Sequence, residues 1–383
     1  MSAIGPFEEP APGCKPAPAP ALTADQQTKY DQVLADVQTW ESLPSSSVKT
    51  AESTPITDDE RMWLTRECLL RYLRATKWNV AQATQRLRST LVWRREYGTD
   101  RFTADYISEE NETGKQVLLG FDNEGRPCLY LLPQNQNTKE SPKQVEHLVY
   151  MLERTIDIHP PGQESVALLI DFRNAGATPG LGTAKSVLDI LQNHYPERLG
   201  RALLTHRKYT VSYGAGHMST DTRFKVPWYI KTFLKLVNPF IDPVTKSKIK
   251  PNEPLPDHVP VSQLMKVSDG EVDFKYDHSV YWPALEKITT ERRRQRKERW
   301  EKGGKIVGES EIYLWGGGEP SLGAGKTTEA AAPLPVSNGT GTADTAAPVA
   351  ANEGTDATKQ GAELVEGVEK LDSKGGEPVK TTA

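Results

Sequence analysis

The sequence predicts an α/β fold in which a small N-terminal helical lobe precedes a mostly parallel β-sheet covered by helices. Three patterns in the 383-residue chain support this prediction. Apolar residues recur at helical spacing between residues 57 and 98, and a hairpin pattern follows between residues 117 and 132. Strand-like apolar runs then alternate with helical patterns, which is typical of parallel sheets whose faces are covered by helices.

The helical lobe is predicted from two adjacent segments. Thr57 and Glu60 have the spacing of a capping box, and the apolar pattern that follows predicts one helix as far as residue 77. Asn79 is suited to cap a second helix, which Gly98 ends. The apolar positions are Leu64, Cys68, Leu69, Tyr72 and Leu73 in the first helix and Val80, Ala83, Leu87, Leu91 and Trp93 in the second. On composition alone, this pair fits any helical hairpin.

The sheet is predicted to begin with a hairpin whose turn contains Gly125. The two strands of the hairpin are predicted at 117–120 and 128–132. They are followed by a helix at 144–158, a strand at 166–171, a helix at 187–195 and a strand at 202–205. After the sheet, one further helix is strongly apolar on one side, with Trp228, Tyr229, Phe233, Leu234, Leu236, Val237 and Phe240. Periodicity alone favours an ordinary core-packing helix there.

Composition divides the chain into five parts. Residues 1–22 are rich in Pro and Ala and predict a disordered tail, as do the low-complexity residues 316–383. The second tail has about ten acidic against five basic residues, whereas the whole chain has a net charge of −4, so the body is close to neutral. Between the tails we expect the helical lobe at 23–110, the sheet domain at 111–290 and a basic helix with an extension at 291–315.

Several classes of protein do not fit these patterns. No apolar run reaches the 18 or so residues that span a bilayer. The three cysteines, Cys14, Cys68 and Cys128, are scattered without metal-ligand spacing, which favours a reducing compartment, the cytoplasm by default. We therefore expect no metal and no cofactor.

The segment 323–328 resembles a phosphate-binding loop, but Pro320 stands where that loop needs Gly. No nucleophile elbow accompanies Asp171 and His194. No enzyme class is predicted.

Residues 291–300 form a strongly basic stretch that contains one aromatic residue, Trp300. On a helix, this stretch would dock on an anionic membrane surface, where each Lys or Arg contributes about 1 kcal/mol. A solvated helix is the equally supported alternative. Nucleic acid is not an expected partner, because no nucleic-acid reading motif accompanies the charge.

Three segments resemble the CRAL-TRIO lipid-binding family, specifically the fungal phosphatidylinositol transfer proteins and among them the subgroup linked to sterol and azole tolerance. They read LLRYLRATKWNV at 69–80, NHYPERLG at 193–200 and NPFIDPVTKSK at 238–248. The resemblance implies the CRAL-TRIO fold, with a lipid cavity inside the α/β domain. It also implies that the apolar helix is a gate over that cavity, formed by Trp228, Tyr229, Phe233, Leu234, Val237 and Phe240.

The resemblance also implies a headgroup site. Matching the family's motifs gives Lys77, Glu197, Asp242, Thr245 and Lys248, with Thr76 and Arg198 as weaker candidates. Glu197 would accept hydrogen bonds from inositol hydroxyls, Thr245 would donate to the phosphate, and the two lysines would supply positive charge. Thr76 stands where the family often has Arg, so one guanidinium is missing, although its hydroxyl can donate. Singly, these residues also fit a solvated helix end, a local Glu197–Arg198 ion pair and a polar turn.

The implied function is exchange of phosphatidylinositol with a second lipid between membranes, without catalysis. The hydroxyl-rich segment that accompanies phosphatidylcholine carriers is missing after Asp171, so a sterol is the expected second lipid. The expected partners are membrane lipids and the anionic membrane surface, at the endoplasmic reticulum, lipid droplets or cell periphery. A lipid-loaded scaffold or sensor that presents phosphatidylinositol to a lipid kinase is the alternative.

Residues 207–225 interrupt the resemblance, since the family runs almost directly from strand to gate helix. A surface loop of this length costs little entropy. However, Arg207-Lys208-Tyr209 can be encoded with an internal GTAAGTAT, a splice-donor sequence, and residues 220–222 can contain a CTGAC branch point. We hypothesise that this insert derives from a retained intron.

Overall fold

The computed structural model describes residues 2–3, 5–172, 180–205, 243–251 and 253–324. The helices are α1 (Ala24–Gln38), α2 (Asp58–Trp63), α3 (Arg66–Ala75), α4 (Val80–Tyr97), α5 (Ala104–Ser108), α6 (Pro142–Asp157), α7 (Leu181–His194), α8 (Pro243–Lys248), α9 (His278–Lys302) and α10 (Glu311–Leu314). The strands are β1 (Ser2–Ala3), β2 (Ser42–Pro44), β3 (Ser53–Pro55), β4 (Gln116–Phe121), β5 (Pro127–Leu131), β6 (Val166–Asp171), β7 (Leu199–Thr205), β8 (Ile249–Pro251) and β9 (Asp273–Phe274). No helix among these residues is long and apolar enough to cross a membrane.

The main sheet has five strands in the order β4-β5-β6-β7-β8. β4 and β5 form the predicted antiparallel hairpin, and all later neighbours are parallel, which confirms the mostly parallel sheet. The hairpin turn is held by the Asp122 carboxylate, which accepts from the backbone N–H groups of Glu124 and Arg126. Gly125 has a φ of +74°, the left-handed conformation that the turn requires.

The first lobe helix differs from its prediction, because the structure has two helices where one was expected. The capping box of Thr57 and Glu60 is present, but α2 ends at Trp63. The Thr65 side chain then caps α3 by accepting from the backbone N–H of Cys68. The backbone groups at the break bond to a distant segment: Gly308 N–H donates to Leu64, and Arg66 N–H donates to Glu309. The helix is therefore interrupted by hydrogen bonds to residues that are distant in the sequence, and local periodicity does not reveal them.

The second lobe helix agrees with its prediction. Asn79 caps α4, and Gly98 ends it in the left-handed conformation with a φ of 80°. The lobe also contains α1, which we did not predict. Its Thr23 capping box, with Gln26 at the third position, was the available signal. The apolar face of α1 is buried against α3 and α4 through Tyr30, Val33 and Val37.

Residues 5–22 do not form the flexible tail that composition predicted. Phe7 packs against the main core, and the Gln263 amide donates to the carbonyl of Glu9. Arg292 forms an ion pair of 2.6 Å with Glu9. A Pro-rich extended segment makes few hydrogen bonds of its own, so it can lie along a folded surface that supplies them. The described start of the second expected tail is also tied down, because Ser321 hydrogen-bonds to Glu309.

The basic stretch belongs to α9, which begins well before residue 291, so the expected boundary between residues 290 and 291 lies inside a helix. Most of its cations pair within the molecule. Arg292 binds Glu9, Arg296 binds Asp157 of α6, and Lys297 binds Asp59 of α2. Neither a fully solvated helix nor a helix with all its cations facing a membrane describes this arrangement.

A buried ion pair joins the lobe to the sheet domain. Arg94 of α4 donates to Glu153 of α6 at 2.7 Å, and the Tyr195 hydroxyl donates to the same oxygen at 2.7 Å. Beside this pair, the rings of Trp93 and His194 stack with centroids 4.1 Å apart. Burial alone would raise the pKa of Glu153, but Arg94 and the hydrogen bonds outweigh burial and lower it to about 2.

We predict that Glu153→Gln lowers the free energy of unfolding at pH 7 by about 3 kcal/mol, because it leaves the buried Arg94 with too little negative charge. The pKa of Glu153 is depressed in the folded state, so its stabilisation is complete above its usual pKa and is lost as the pH falls towards about 2. The difference in free energy of unfolding between wild type and variant should therefore become smaller as the pH falls over that range. Urea unfolding followed by tryptophan fluorescence at several pH values measures it.

Glu298→Gln is the matched control, because Glu298 pairs with Arg294 on the exposed side of α9. Its unfolding midpoint should stay close to that of the wild type at every pH. A Glu153→Gln variant as stable as this control at pH 7 would refute the role of the pair.

Candidate functional site

The candidate site is centred on the turn that precedes β7. Glu197 lies in this turn with a φ of 59°, a left-handed conformation that is uncommon and costly for a non-glycine residue. Its carboxylate Oε2 accepts from Arg74 Nε of α3 at 2.6 Å, and its side chain is 31% exposed. The alternative of a local Glu197–Arg198 ion pair does not describe this turn. Arg198 is buried, and its Nη1 donates to the carbonyl of Glu164 at 2.8 Å.

Arg74 is part of a larger network of ion pairs, which we call the α3 network (Arg71, Arg74, Glu164, Glu197, Glu311). Glu164 Oε2 accepts from both Arg74 Nη2 at 3.0 Å and Arg71 Nη1 at 2.8 Å. Arg71, whose side chain is 3% exposed, also forms a two-bond pair with Glu311 of α10 at 2.6 and 3.0 Å. The Glu197 carboxylate is therefore connected through alternating charges to the C-terminal part of the described chain.

The charges of this network perturb one another. Burial alone would raise the pKa of Glu311, but Arg71 and Arg198 outweigh it and hold the pKa well below its usual value. Glu67 accepts from the backbone N–H of Glu311, and burial followed by repulsion from the Glu311 carboxylate raises its pKa. Burial and then Arg71 lower the pKa of Arg198. The network thus keeps Glu311 ionised and shifts the pKa of the neighbouring Glu67 upward.

Thr76 and Lys77 directly follow α3, and only Lys77 is available to a ligand. Lys77 is exposed and has a φ of 52°. Thr76 is buried, and its hydroxyl lies 2.8 Å from the carbonyl oxygen of Tyr72, to which it donates. The hydrogen bond that we expected Thr76 to offer a headgroup is therefore used to end the helix.

Thr245 and Lys248 lie on α8, immediately before β8. β8 runs parallel to β7 with Ala202 opposite Ile249, so Lys248 is level with Arg201, four residues further along the chain than Glu197. Both α8 residues are half-buried and have interaction partners. The structure thus places Arg74 of α3 against the Glu197 turn, and α8 immediately before the strand that pairs with β7.

Other candidates lie outside the described residues. These are Asp242, the gate residues Trp228, Tyr229, Phe233, Leu234, Val237 and Phe240, and the insert at 207–225. Conversely, Arg74, Arg71, Glu164 and Glu311 are residues that sequence reasoning missed. The only available signal was the spacing of Arg71 and Arg74, three residues apart on one face of α3.

The Glu197 turn, the end of α3 and α8 carry between them the two kinds of group that recognise a phosphorylated polyalcohol. A carboxylate accepts from hydroxyl groups, and lysine and threonine donate to phosphate oxygens. In the part of the chain that the structure describes, no group of His, Cys, Asp and Glu side chains is arranged to hold a metal ion.

Two protein-family models match the chain. The CRAL/TRIO domain matches residues 111–207 and 223–270, and the CRAL/TRIO N-terminal domain matches residues 29–89. Residues 208–222 lie between the two matched parts of the first model, within the segment that we identified as an insert.

Two curated relatives match most of the chain. A CRAL-TRIO domain-containing protein of Schizosaccharomyces pombe is 46% identical over 317 residues, which cover 82% of this chain but only 30% of that protein. The phosphatidylinositol transfer protein PDR17 of Saccharomyces cerevisiae is 41% identical over 310 residues, which cover 76% of this chain and 83% of PDR17. Among solved structures, that of Sfh5 matches 61% of this chain and 82% of its own, with 14% identity and a TM-score of 0.37. The family models and the identity to PDR17 show that this chain is a member of the CRAL-TRIO family of lipid-binding proteins.

Proposed function

We propose that the protein binds phosphatidylinositol and exchanges it for a second lipid, a sterol, between membranes, acting as a peripheral protein on their cytoplasmic side. The observation that carries this proposal is the position of Glu197, whose carboxylate is held by Arg74 in the turn before β7, the strand that pairs with β8 directly after Lys248. A phosphate buried without matching charges is too costly, so a headgroup site needs groups of this kind fixed in advance. The 41% identity to a phosphatidylinositol transfer protein supports the same function.

A lipid-loaded scaffold that presents phosphatidylinositol to a lipid kinase would use the same residues. The two functions differ in whether bound lipid leaves the protein at a second membrane. A transfer assay between vesicles therefore separates them.

We predict that Glu197→Ala combined with Lys248→Ala abolishes phosphatidylinositol transfer, because both proposed headgroup contacts are lost. The variant should fold, since Arg74 keeps its 3.0 Å bond to Glu164 when Glu197 is truncated. Transfer of fluorescent phosphatidylinositol between vesicles measures the loss, and circular dichroism checks the fold.

Asp25→Ala with Lys29→Ala is the matched control, because it removes one exposed acid and one base from α1. The control should transfer phosphatidylinositol as the wild type does. A folded Glu197/Lys248 variant that transferred as fast as this control would rule out the site.

We predict that sterol, and not phosphatidylcholine, competes with phosphatidylinositol for the cavity. The reason is the missing hydroxyl-rich segment after Asp171, where the sequence reads FRNAGAT. Protein incubated with vesicles that contain all three lipids should carry phosphatidylinositol and sterol when its bound lipids are analysed by mass spectrometry. Robust loading with phosphatidylcholine would contradict the prediction.

We predict that deleting residues 207–225 preserves folding and leaves phosphatidylinositol transfer unchanged or faster, because strand and gate helix regain their family spacing.

Messenger RNA sequencing provides the parallel test of the retained-intron hypothesis. A spliced transcript without these codons would support it, whereas a transcript that always retains them, together with loss of transfer on deletion, would show that the segment is needed. In that case the opening of the gate, which limits exchange in such a mechanism, should depend on the segment.

A further inference from the structure

Where α6 and α9 meet, three guanidinium groups surround one carboxylate. Asp157, the last residue of α6, has its Oδ2 at 2.9 Å from Arg154 Nε and at 3.4 Å from Arg293 Nε. Its Oδ1 accepts from Arg296 Nη2. We call Arg154, Asp157, Arg293 and Arg296 the arginine cluster. None of these residues belongs to the candidate site around Glu197.

Positive charge exceeds negative charge in the arginine cluster. Three cations face one carboxylate, and the carbonyl end of α6 adds only about half a negative charge. The nearby carboxylate of Glu153 is already bound by Arg94 and Tyr195. Counted over the residues that the structure describes, the cluster therefore carries an excess of more than one positive charge. Since Arg154 is buried and Arg296 nearly so, water screens this excess poorly.

Among the described residues, two buried donors in or beside the cluster lack acceptors, Arg296 Nε and the indole N–H of Trp315. Arg154 Nε is paired with Asp157 Oδ2 at 2.9 Å, although not in the geometry of a directed hydrogen bond. The Arg296 guanidinium lies over the Trp315 ring at 4.7 Å from its centroid, so this indole belongs to the same region. Buried donors without acceptors are rare, and they indicate a missing ligand or water.

Arg293 connects the cluster to solvent. Its side chain is 43% exposed, and its hydrogen bonds to other described residues are long, 3.4 Å to both Thr289 and Thr290 of its own helix. Burial lowers its pKa, and the cations of Arg154 and Arg296 lower it further despite the attraction of Asp157. An added anion would relieve this repulsion.

We propose that the arginine cluster binds a phosphate group, with Arg293 as the residue that receives it from solvent. A phosphate matches the cluster better than a second carboxylate would, because its charge of nearly −2 fits the excess and its tetrahedral oxygens can accept from several guanidinium forks. The chemistry is shared by a phosphate-monoester lipid headgroup and a soluble phosphate compound. The proposal goes beyond the proposed function and does not depend on it.

The test compares Arg293→Gln with Arg294→Gln in the full chain. Both variants remove one exposed positive charge from the same part of α9, but Arg294 pairs with Glu291 and Glu298 instead of the cluster. Thermal unfolding is followed over a series of inorganic phosphate concentrations, with sodium chloride holding the ionic strength constant. We expect a saturable rise of the unfolding temperature for wild type and Arg294→Gln, and an affinity about tenfold weaker for Arg293→Gln.

The same variants distinguish binding from a purely structural role. Without phosphate, Arg293→Gln should unfold at the wild-type temperature or higher, because it removes excess positive charge. A lower unfolding temperature combined with an unchanged phosphate response would overturn the proposal, as would the absence of any phosphate response in the wild type. Failure of the Glu197/Lys248 prediction would leave these measurements unaffected.

Vesicles identify the source of the phosphate group. Cosedimentation with phosphatidylcholine vesicles is compared with cosedimentation when phosphatidic acid is added, because phosphatidic acid carries a phosphate monoester. Binding that requires both phosphatidic acid and Arg293 supports a lipid headgroup as the ligand. A response to inorganic phosphate that requires Arg293, without binding to these vesicles, supports a soluble phosphate compound.

Discussion

The ion pair between Arg71 and Glu311 is the constraint on which the arrangement of the N-terminal lobe depends. Arg71 lies inside the protein, so its charge needs a partner, and Glu311 supplies one through two hydrogen bonds. A buried ion pair adds little net stability compared with apolar packing, but removing one partner is costly. The pair therefore acts mainly on geometry: it determines where α10 lies against α3. The bonds of Leu64 and Arg66 to the segment before α10 follow from that placement.

The same pair extends to the candidate headgroup site through shared acceptors. Glu164 accepts from Arg71 and Arg74, and Arg74 in turn binds Glu197. The left-handed backbone at Glu197 is unfavourable by itself, and the contact with Arg74 offsets part of this cost. Arg74 provides this contact before any ligand arrives. A carboxylate that is already oriented loses less conformational freedom on binding, which is the benefit of preorganisation.

Sequence reasoning predicted the features that depend on neighbours along the chain. The α4 cap at Asn79, the β4–β5 hairpin and the parallel sheet follow from periodicity and turn chemistry, and the structure confirms them. Resemblance to a family supplied Lys77, Glu197, Thr245 and Lys248, which composition alone would leave as surface residues. These four remain predictions as ligand contacts.

What the sequence could not reveal depends on distant partners. The break after α2 was missed because Glu309, which bonds to Arg66, is remote in sequence. Arg74 resembled an ordinary solvated helix cation, since nothing local identifies Glu164 and Glu197 as its partners. Residues 5–22 were predicted from composition to be a flexible tail. Composition indicates whether a segment can bury a core of its own, but it does not reveal that the segment packs on the surface of the folded domain.

The separation of Arg71 and Glu311 by 240 residues also constrains the order of events during synthesis. A ribosome adds 5–20 residues each second, so Arg71 is made roughly 12 to 48 seconds before its partner. Until then, α3 carries a cation that the finished protein buries, beside apolar residues such as Leu69 and Leu73. The nascent lobe must therefore stay incomplete, and open to chaperones, while the whole sheet is translated. The helix α10, whose Glu311 completes the N-terminal lobe, is therefore among the last described elements to be synthesised.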